Sequence, residues 1–352
     1  MTKVKIFGAG SIGNHYAYAC INKKWDVTII DIDPKALDRM RYQIYPSRYG
    51  RWNKNIRLIS KDDNENYDIV MIGTPPTSHL NIAAKELNKK NPPKVIHIEK
   101  PLCTPDLKGI KKILRIRKRA PKTQIFGGYN HSLTKNTIYA EKLIKKIKFG
   151  KVLSMQALNR ENWSGIYKAH FWIKSMADTY LGYYQKGGGA LCEHSHGLNI
   201  WSHFSNFLGL GEVKKVNCNM KIVGKGKVKY DETVFLNLTT NKNFLGNVYQ
   251  DVITDPAQKI LNIQFEKGYV DIINNFEDNY DAVKFSFHKK VKIVKFKKSR
   301  PDDFIGLINH LQRALKSKIE KKSPISLDRS IEIMKIINAS FKSHKLKKTI
   351  NI

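Results

Sequence analysis

The 352-residue sequence is short of acid, short of cysteine and without a long apolar run, and each shortage removes a class of protein. The four cysteines, Cys20, Cys103, Cys192 and Cys218, are scattered with no Cys-x-x-Cys spacing, which argues against a disulfide framework and a thiolate zinc site. No stretch offers the ~18 uninterrupted apolar residues of a membrane helix. Met1 to Phe7 passes straight into a strand-like alternation with no apolar signal core, which predicts a cytoplasmic protein with no membrane partner. The sequons at Asn237 and Asn338 carry no weight without an export signal.

Only 30 Asp and Glu stand against 63 Lys and Arg, a net charge of +33. The lysines are spread over almost every segment and form neither a tail nor a stripe interleaved with aromatics, so a compositional bias on a solvated surface is the first explanation. Attraction of an anionic substrate is the second, and no specific nucleic-acid partner is expected. The length exceeds the usual single domain, and a hydrophobic content of 41% can supply two cores.

Short apolar runs at residues 4–7, 27–30, 69–72, 95–98 and 124–126 alternate with amphipathic segments, predicting βαβ units and a parallel sheet. Helices are expected to open at Ile12 and to run over 79–89 and 106–120. After a helix over 135–148 and a strand over 152–159 comes an irregular aromatic segment, 162–186, of a length usually tied to function. Strands then dominate: 213–222, 233–238, 244–249, a hairpin of 259–265 with 269–273, and 291–296 imply an antiparallel sheet. Helices follow over 303–318 and 328–343, with Asp328 as a cap. The expected fold is thus α/β followed by α+β. A nucleotide domain would span 1–128, and a substrate and oligomerisation domain 129–352, with the last helices able to pack back on the first.

Gly8-Ala9-Gly10-Ser11-Ile12-Gly13 follows a strand and opens a helix. In a dinucleotide turn Gly8 permits the bend, Gly10 lets a diphosphate approach and Gly13 lets helix and strand close up, while the helix start at Ser11 and Ile12 offers N–H donors. Asp31, eighteen positions after Gly13, is placed to bond an adenosine ribose. Its charge opposes a 2′-phosphate, which favours NAD; NADP is the alternative, with Lys35 a nearby countercharge. Thr74, Pro75 and His79 sit after another strand, either as a wall against the cofactor or as an ordinary strand-to-helix turn.

Glu99-Lys100-Pro101 closes the strand at 95–98, where an ammonium would face a bound nicotinamide. Position sets Lys100 apart from the many surface lysines, Glu99 could orient cofactor or lysine, and Pro101 restricts Lys100 to extended geometry. A second cluster runs from Gly187 through Glu193, His194 and His196 to Asn199. His196, Asn199 and His203 share one helical face, and His196 is the best general base; a hydrogen-bonded structural histidine is the competing reading. A metal site from Glu193, His194 and His196 lacks familiar ligand spacing, and none is expected.

Together the glycine turn, the Thr74-Pro75-Pro76 segment ending at His79, Glu99-Lys100-Pro101, Gly128-Tyr129-Asn130, Gly150-Lys151-Val152 and the glycine run ending at His196 resemble the Gfo/Idh/MocA oxidoreductases. The resemblance spans nearly the whole chain. It implies an NAD(P)-binding Rossmann domain and an open antiparallel sheet whose outer face mediates assembly into a homo-dimer or tetramer. Substrates would be sugars, cyclitols or nucleotide sugars. Lys100, Glu193 and His196 match the functional positions, and Asn130 joins the cofactor set. Trp163, Tyr184, Glu193, His196 and Asn199 are assigned with Lys100 to the substrate. The common family pattern has aspartate with histidine four residues on, whereas here Glu193 precedes His196 by three, as in a subgroup with Glu-x-Ser-His linked to surface-polysaccharide sugars. Ser132 stands where an arginine is common. The activity implied is hydride transfer between nicotinamide and a secondary hydroxyl or ketone. A non-catalytic nucleotide-bound regulator and an NAD-dependent glycosidase are the alternatives.

Overall fold

The computed structural model describes residues 1–352 apart from the side chains of Lys168 and Ala169. Its contacts gather into two units. One comprises Met1–Thr104, Lys108–Asn130 and Pro301–Ser330; the other comprises Pro105–Leu107, His131–Arg300 and Ile331–Ile352.

In the first unit the chain runs β1 (Lys3–Phe7), α1 (Ser11–Ile21), β2 (Asp26–Ile30), α2 (Pro34–Arg39), a π-helical stretch (Met40–Ile44), α3 (Tyr45–Tyr49), β3 (Ile56–Ile59), β4 (Ile69–Ile72), α4 (Pro76–Leu87), β5 (Val95–Ile98), α5 (Ile110–Arg117) and β6 (Gln124–Gly127). The six strands are parallel in the order β3-β2-β1-β4-β5-β6, so the order reverses between β1 and β4, and ligands bind beyond the carboxyl ends at such a reversal. Strands β4 and β5 are buried at every position, which is why they read as unbroken apolar runs: helices cover both faces. The helix expected over 106–120 shrinks to α5 because Leu107 and Gly109 take left-handed φ of 64° and 92°, which no helix accommodates.

The second unit contains α6 (Lys135–Lys146), β7 (Val152–Arg160), α7 (Ser164–Ala169), α8 (Gly189–Glu193), α9 (His196–Phe207) and strands β8 (Val213–Lys225), β9 (Val228–Thr240), β10 (Leu245–Asp251), β11 (Gln258–Phe265), β12 (Gly268–Glu277), β13 (Tyr280–Phe287) and β14 (Lys290–Lys297). With β15 (Ile350–Asn351) they form a nine-stranded sheet, β14-β13-β12-β11-β7-β10-β9-β8-β15. Its ladders are antiparallel except β7 with β10, which run parallel. Strand alternation buries Val216, Cys218 and Met220 of β8, while Leu153, Phe235 and Val291 are more than half exposed. Helix α9 lies close on β7 because residue 197 is glycine: a Cβ there would come within 2.8 Å of Asn159 Cβ.

Helix α10 (Asp302–Lys316) belongs to the first unit, as do the first residues of α11 (Leu327–Leu346). Gln124 fixes the end of α10, donating to Ala314 O (2.6 Å) and accepting from Ile319 N (2.7 Å). Asp328 is not the cap of α11; it lies inside the first turn, and its carboxylate accepts from Arg117 at 3.1 Å. All four cysteines are buried and none is in a disulfide. Among the described residues no helix is long and apolar enough to cross a membrane, and no group of three or more His, Cys, Asp or Glu is placed to hold a metal ion.

Candidate functional site

The first unit builds its glycine turn as the sequence demands. Gly8 has φ of 102°, and a Cβ there would stand 2.8 Å from Gly73 O. A Cβ on Gly13 would stand 1.9 Å from Gly8 O, so only glycine lets α1 start beside the turn. Above Gly10 the space is open for an approaching group. The first N–H groups of α1, at Ser11 and Ile12, have no carbonyl four residues earlier in the helix and give its start a positive polarity. Asp31 accepts from Ala9 N (2.8 Å) with Oδ2 and from Asp33 N (3.0 Å) with Oδ1. A carboxylate has about four acceptor sites, so the same group can hold the turn and still take a ribose hydroxyl. This donor and acceptor set fits a dinucleotide.

At the end of β4 the Thr74 hydroxyl lies 2.7 Å from Ser78 Oγ, and Pro75 is the N-cap of α4. His79 is fully buried, with Nδ1 3.0 Å from Pro101 O and Nε2 on Thr74 O, so it ties the loop after β4 to the loop after β5. Burial pushes its pKa down to about 4, which keeps the ring neutral.

Glu99, at the end of β5, accepts from Tyr16 Oη (2.6 Å) with Oε1 and from the Lys100 backbone N–H (2.6 Å) with Oε2. Burial, then the Glu99 charge, raise the Tyr16 pKa well above the ordinary tyrosine value, so the phenol stays a donor. Gly128 provides the room: a Cβ there would lie 2.5 Å from Glu99 Oε2 and 2.6 Å from Lys100 N. The peptide between Lys100 and Pro101 is cis, and Lys100 is half-buried. Asn130, half-buried, ends this part of the unit.

In the second unit the Gly187–Gly189 approach delivers α8 and α9. Gly189 sits at φ of 82° against Asp231, which is fully buried and accepts from Leu191 N at 2.6 Å. Burial pushes the Asp231 pKa up to about 7. Tyr180 Oη lies 3.4 Å from Glu193 Oε2, and His194 Nε2 lies 3.3 Å from Glu161 O. His196 stacks on His131 with centroids 4.0 Å apart, and Asn199 accepts from Ser132 Oγ at 2.6 Å. His203, sharing their helix, instead pairs with Glu141 at 2.6 Å.

A small cavity beside this stack is lined by His131, His196, Asn159, Asn274, Lys259 and apolar residues of β7, β11 and β12. Lys259 Nζ is 2.7 Å from Glu161; burial works to raise that carboxyl, but the ammonium holds its pKa below the ordinary value. Trp163 and Tyr184 do not line this cavity. Trp163 is buried with its ring 4.6 Å from Tyr230, and Tyr184 stacks on Phe341 in a separate groove. His131, Asp231 and Tyr16 lie outside the set chosen from sequence, since only tertiary contacts mark them.

Residues 2–128 match the model of the GFO_IDH_MocA family, described as an oxidoreductase family with an NAD-binding Rossmann fold. Among solved structures, the fold is similar to myo-inositol 2-dehydrogenase from Lactobacillus plantarum (TM-score 0.74, 18% identity, 100% of this chain and 99% of that one). It is also similar to levoglucosan dehydrogenase in complex with NADH and levoglucosan (TM-score 0.75, 17% identity, 100% and 99%). A third is the WlbA dehydrogenase from Bordetella pertussis in complex with NADH and UDP-GlcNAcA (TM-score 0.72, 16% identity, 99% and 98%). No curated protein sequence matches this chain. At such identities the structural likeness carries the fold, while the family model carries the cofactor. Residues 2–128 thus carry the NAD-binding Rossmann domain described by the Gfo/Idh/MocA oxidoreductase family model.

Proposed function

We propose that the protein transfers hydride between NAD and a secondary hydroxyl, or the corresponding ketone, of a sugar, cyclitol or nucleotide sugar. The observation that carries this reading is the Glu99 lock: one buried carboxylate grips the Tyr16 hydroxyl and the Lys100 backbone at the carboxyl end of β5, in the sheet whose first turn fits the dinucleotide. When bound, NAD supplies the hydride acceptor, and NADH the donor, at nicotinamide C4.

In this reading Lys100 hydrogen-bonds the reacting oxygen and favours the charge that develops on it. His196 takes the hydroxyl proton in oxidation and returns it in reduction, with Glu193 as the group that orients Lys100 or His196. Thr74 and Pro75 shape the turn on the cofactor side, His79 holds that turn from behind, and Asn130 completes the cofactor set. Asn199 contributes to substrate binding beside His196, and Trp163 and Tyr184 do so through the 162–186 segment and not through the His131–His196 cavity. Residues 1–128 serve as the nucleotide domain, and 129–352 bind substrate and carry the homo-oligomer contact. The Asp31 carboxylate opposes a 2′-phosphate, which supports NAD over NADP.

The test is a panel of sugars, cyclitols and nucleotide sugars incubated with NAD or NADH and followed by nicotinamide absorbance. Turnover of a polyol or sugar is expected. Tight NADH binding with no turnover on any member would point instead to a regulator, and leaving-group release without net NADH to a glycosidase.

A further inference from the structure

We propose that Arg48, delivered from the crossover between β2 and β3, binds the diphosphate of the dinucleotide together with the start of α1. The π-helical stretch Met40–Ile44 precedes α3 and carries more residues per turn than an α-helix, so it rotates every later side chain relative to an unbroken helix. The result puts Arg48 Nη1 2.8 Å from Ser11 Oγ, 3.4 Å from Ser11 O and 3.2 Å from His15 Nε2. Ser11 is the first residue of α1, directly after Gly10, and His15 lies one turn later.

Two further contacts fix this arm. His15 Nδ1 bonds Tyr49 Oη, so a proton on Nδ1 donated to Tyr49 leaves Nε2 to accept from Arg48. Tyr49 in turn stacks on Tyr18 of α1 at 3.8 Å, and His15 stacks on Phe304 of α10 at 4.5 Å. Arg48 is therefore held by two helices through packed rings before any ligand arrives.

The placement adds a second positive group to the start of α1. The start of α1 is the positive end of its dipole, where a carboxylate is favoured and a guanidinium is not. A dianionic diphosphate seated over the open space at Gly10 reverses that sign for both groups at once. A guanidinium also matches phosphate oxygens with its planar fork, which a lysine ammonium does not. Asp31 lies on the ribose side of the same turn, so Arg48 and Asp31 divide the ligand between them, cation to diphosphate and carboxylate to ribose. The inference depends on dinucleotide binding alone, so a failed substrate panel leaves it standing.

The experiment compares NADH, ADP and adenosine binding to the full chain and to Arg48→Met, by calorimetry or ligand NMR. Expected is a loss of about 10- to 100-fold in affinity for NADH and ADP, the range for one charge-assisted contact, with adenosine unchanged. The wild-type ADP affinity should also fall more steeply with salt than that of the variant. Should Arg48→Met not fold, Arg48→Gln, which keeps a donor near Ser11 and removes the charge, carries the same comparison. Unchanged ADP affinity, or an equal loss for adenosine and ADP, overturns the proposal.

Discussion

Replacing Glu99 tests whether one carboxylate sets the geometry of the Lys100 turn. In Glu99→Ala both donors lose their acceptor. Tyr16 Oη is fully buried, and an abandoned buried donor costs about 1–3 kcal/mol, so the two together predict a loss of roughly 2–6 kcal/mol. Glu99→Gln is milder. Its carbonyl can keep the Lys100 N–H, and its NH2 can donate to the Tyr16 oxygen after the hydroxyl rotates, so two charge-assisted bonds become neutral ones at a total cost of about 1–3 kcal/mol. Gly128→Ala perturbs the same place from outside, because its Cβ would press 2.5 Å from Glu99 Oε2. Urea denaturation followed by tyrosine and tryptophan fluorescence gives the stabilities, with NADH titration alongside. The expected order is Ala worst, then Gln, with turnover falling further than NADH affinity in all three variants. Glu99→Ala within about 0.5 kcal/mol of wild type refutes the lock.

Two predictions concern pH, with opposite signs. Asp231 has its pKa raised to about 7 by burial, so the native state keeps a proton that the unfolded chain releases, and stability from this group falls as pH climbs from about 4 to about 7. Asp231→Asn should flatten that fall and gain stability at pH 8 relative to pH 5, on the order of a few kcal/mol; melting curves at both pH values check it. The buried histidines of the first unit act the other way: burial lowers His79 to about 4, His97 to about 3 and His310 to about 4. The unfolded chain binds those protons first, so stability drops as pH falls below about 6.5, by up to about 4 kcal/mol per pH unit near pH 5 if all three contribute. A denaturation midpoint that stays level from pH 7 to pH 5 contradicts this.

The nucleotide half was largely legible because its signals are local. β4 and β5 must be apolar throughout, and the glycines at 8 and 13 leave no room for another residue. The second crossover was not legible. Pro46 argues against a helix there, yet it falls at the start of α3, where its missing N–H costs little, and the π-helical stretch scrambles the amphipathic phase that would have marked Arg48. β13 was missed because Asp281 and Lys284 interrupt its apolar pattern, although Asp281 is buried and accepts from Asn275 N at 2.8 Å. The parallel pairing of β7 with β10 is invisible locally, since the strands are far apart in sequence. At the candidate site, neither His131 nor Asp231 carries a local motif. Their roles arise from contacts with segments 40 or more residues away, His196 and Leu191, which no spacing rule reports.

The most direct test of the central claim follows deuteride from C4-labelled NADH into a ketone substrate, with wild-type protein and with Lys100→Met. Label should appear on the carbinol carbon of the wild-type product, and the variant should bind NADH with unchanged affinity while transferring none. Transfer at the wild-type rate by Lys100→Met would contradict the account.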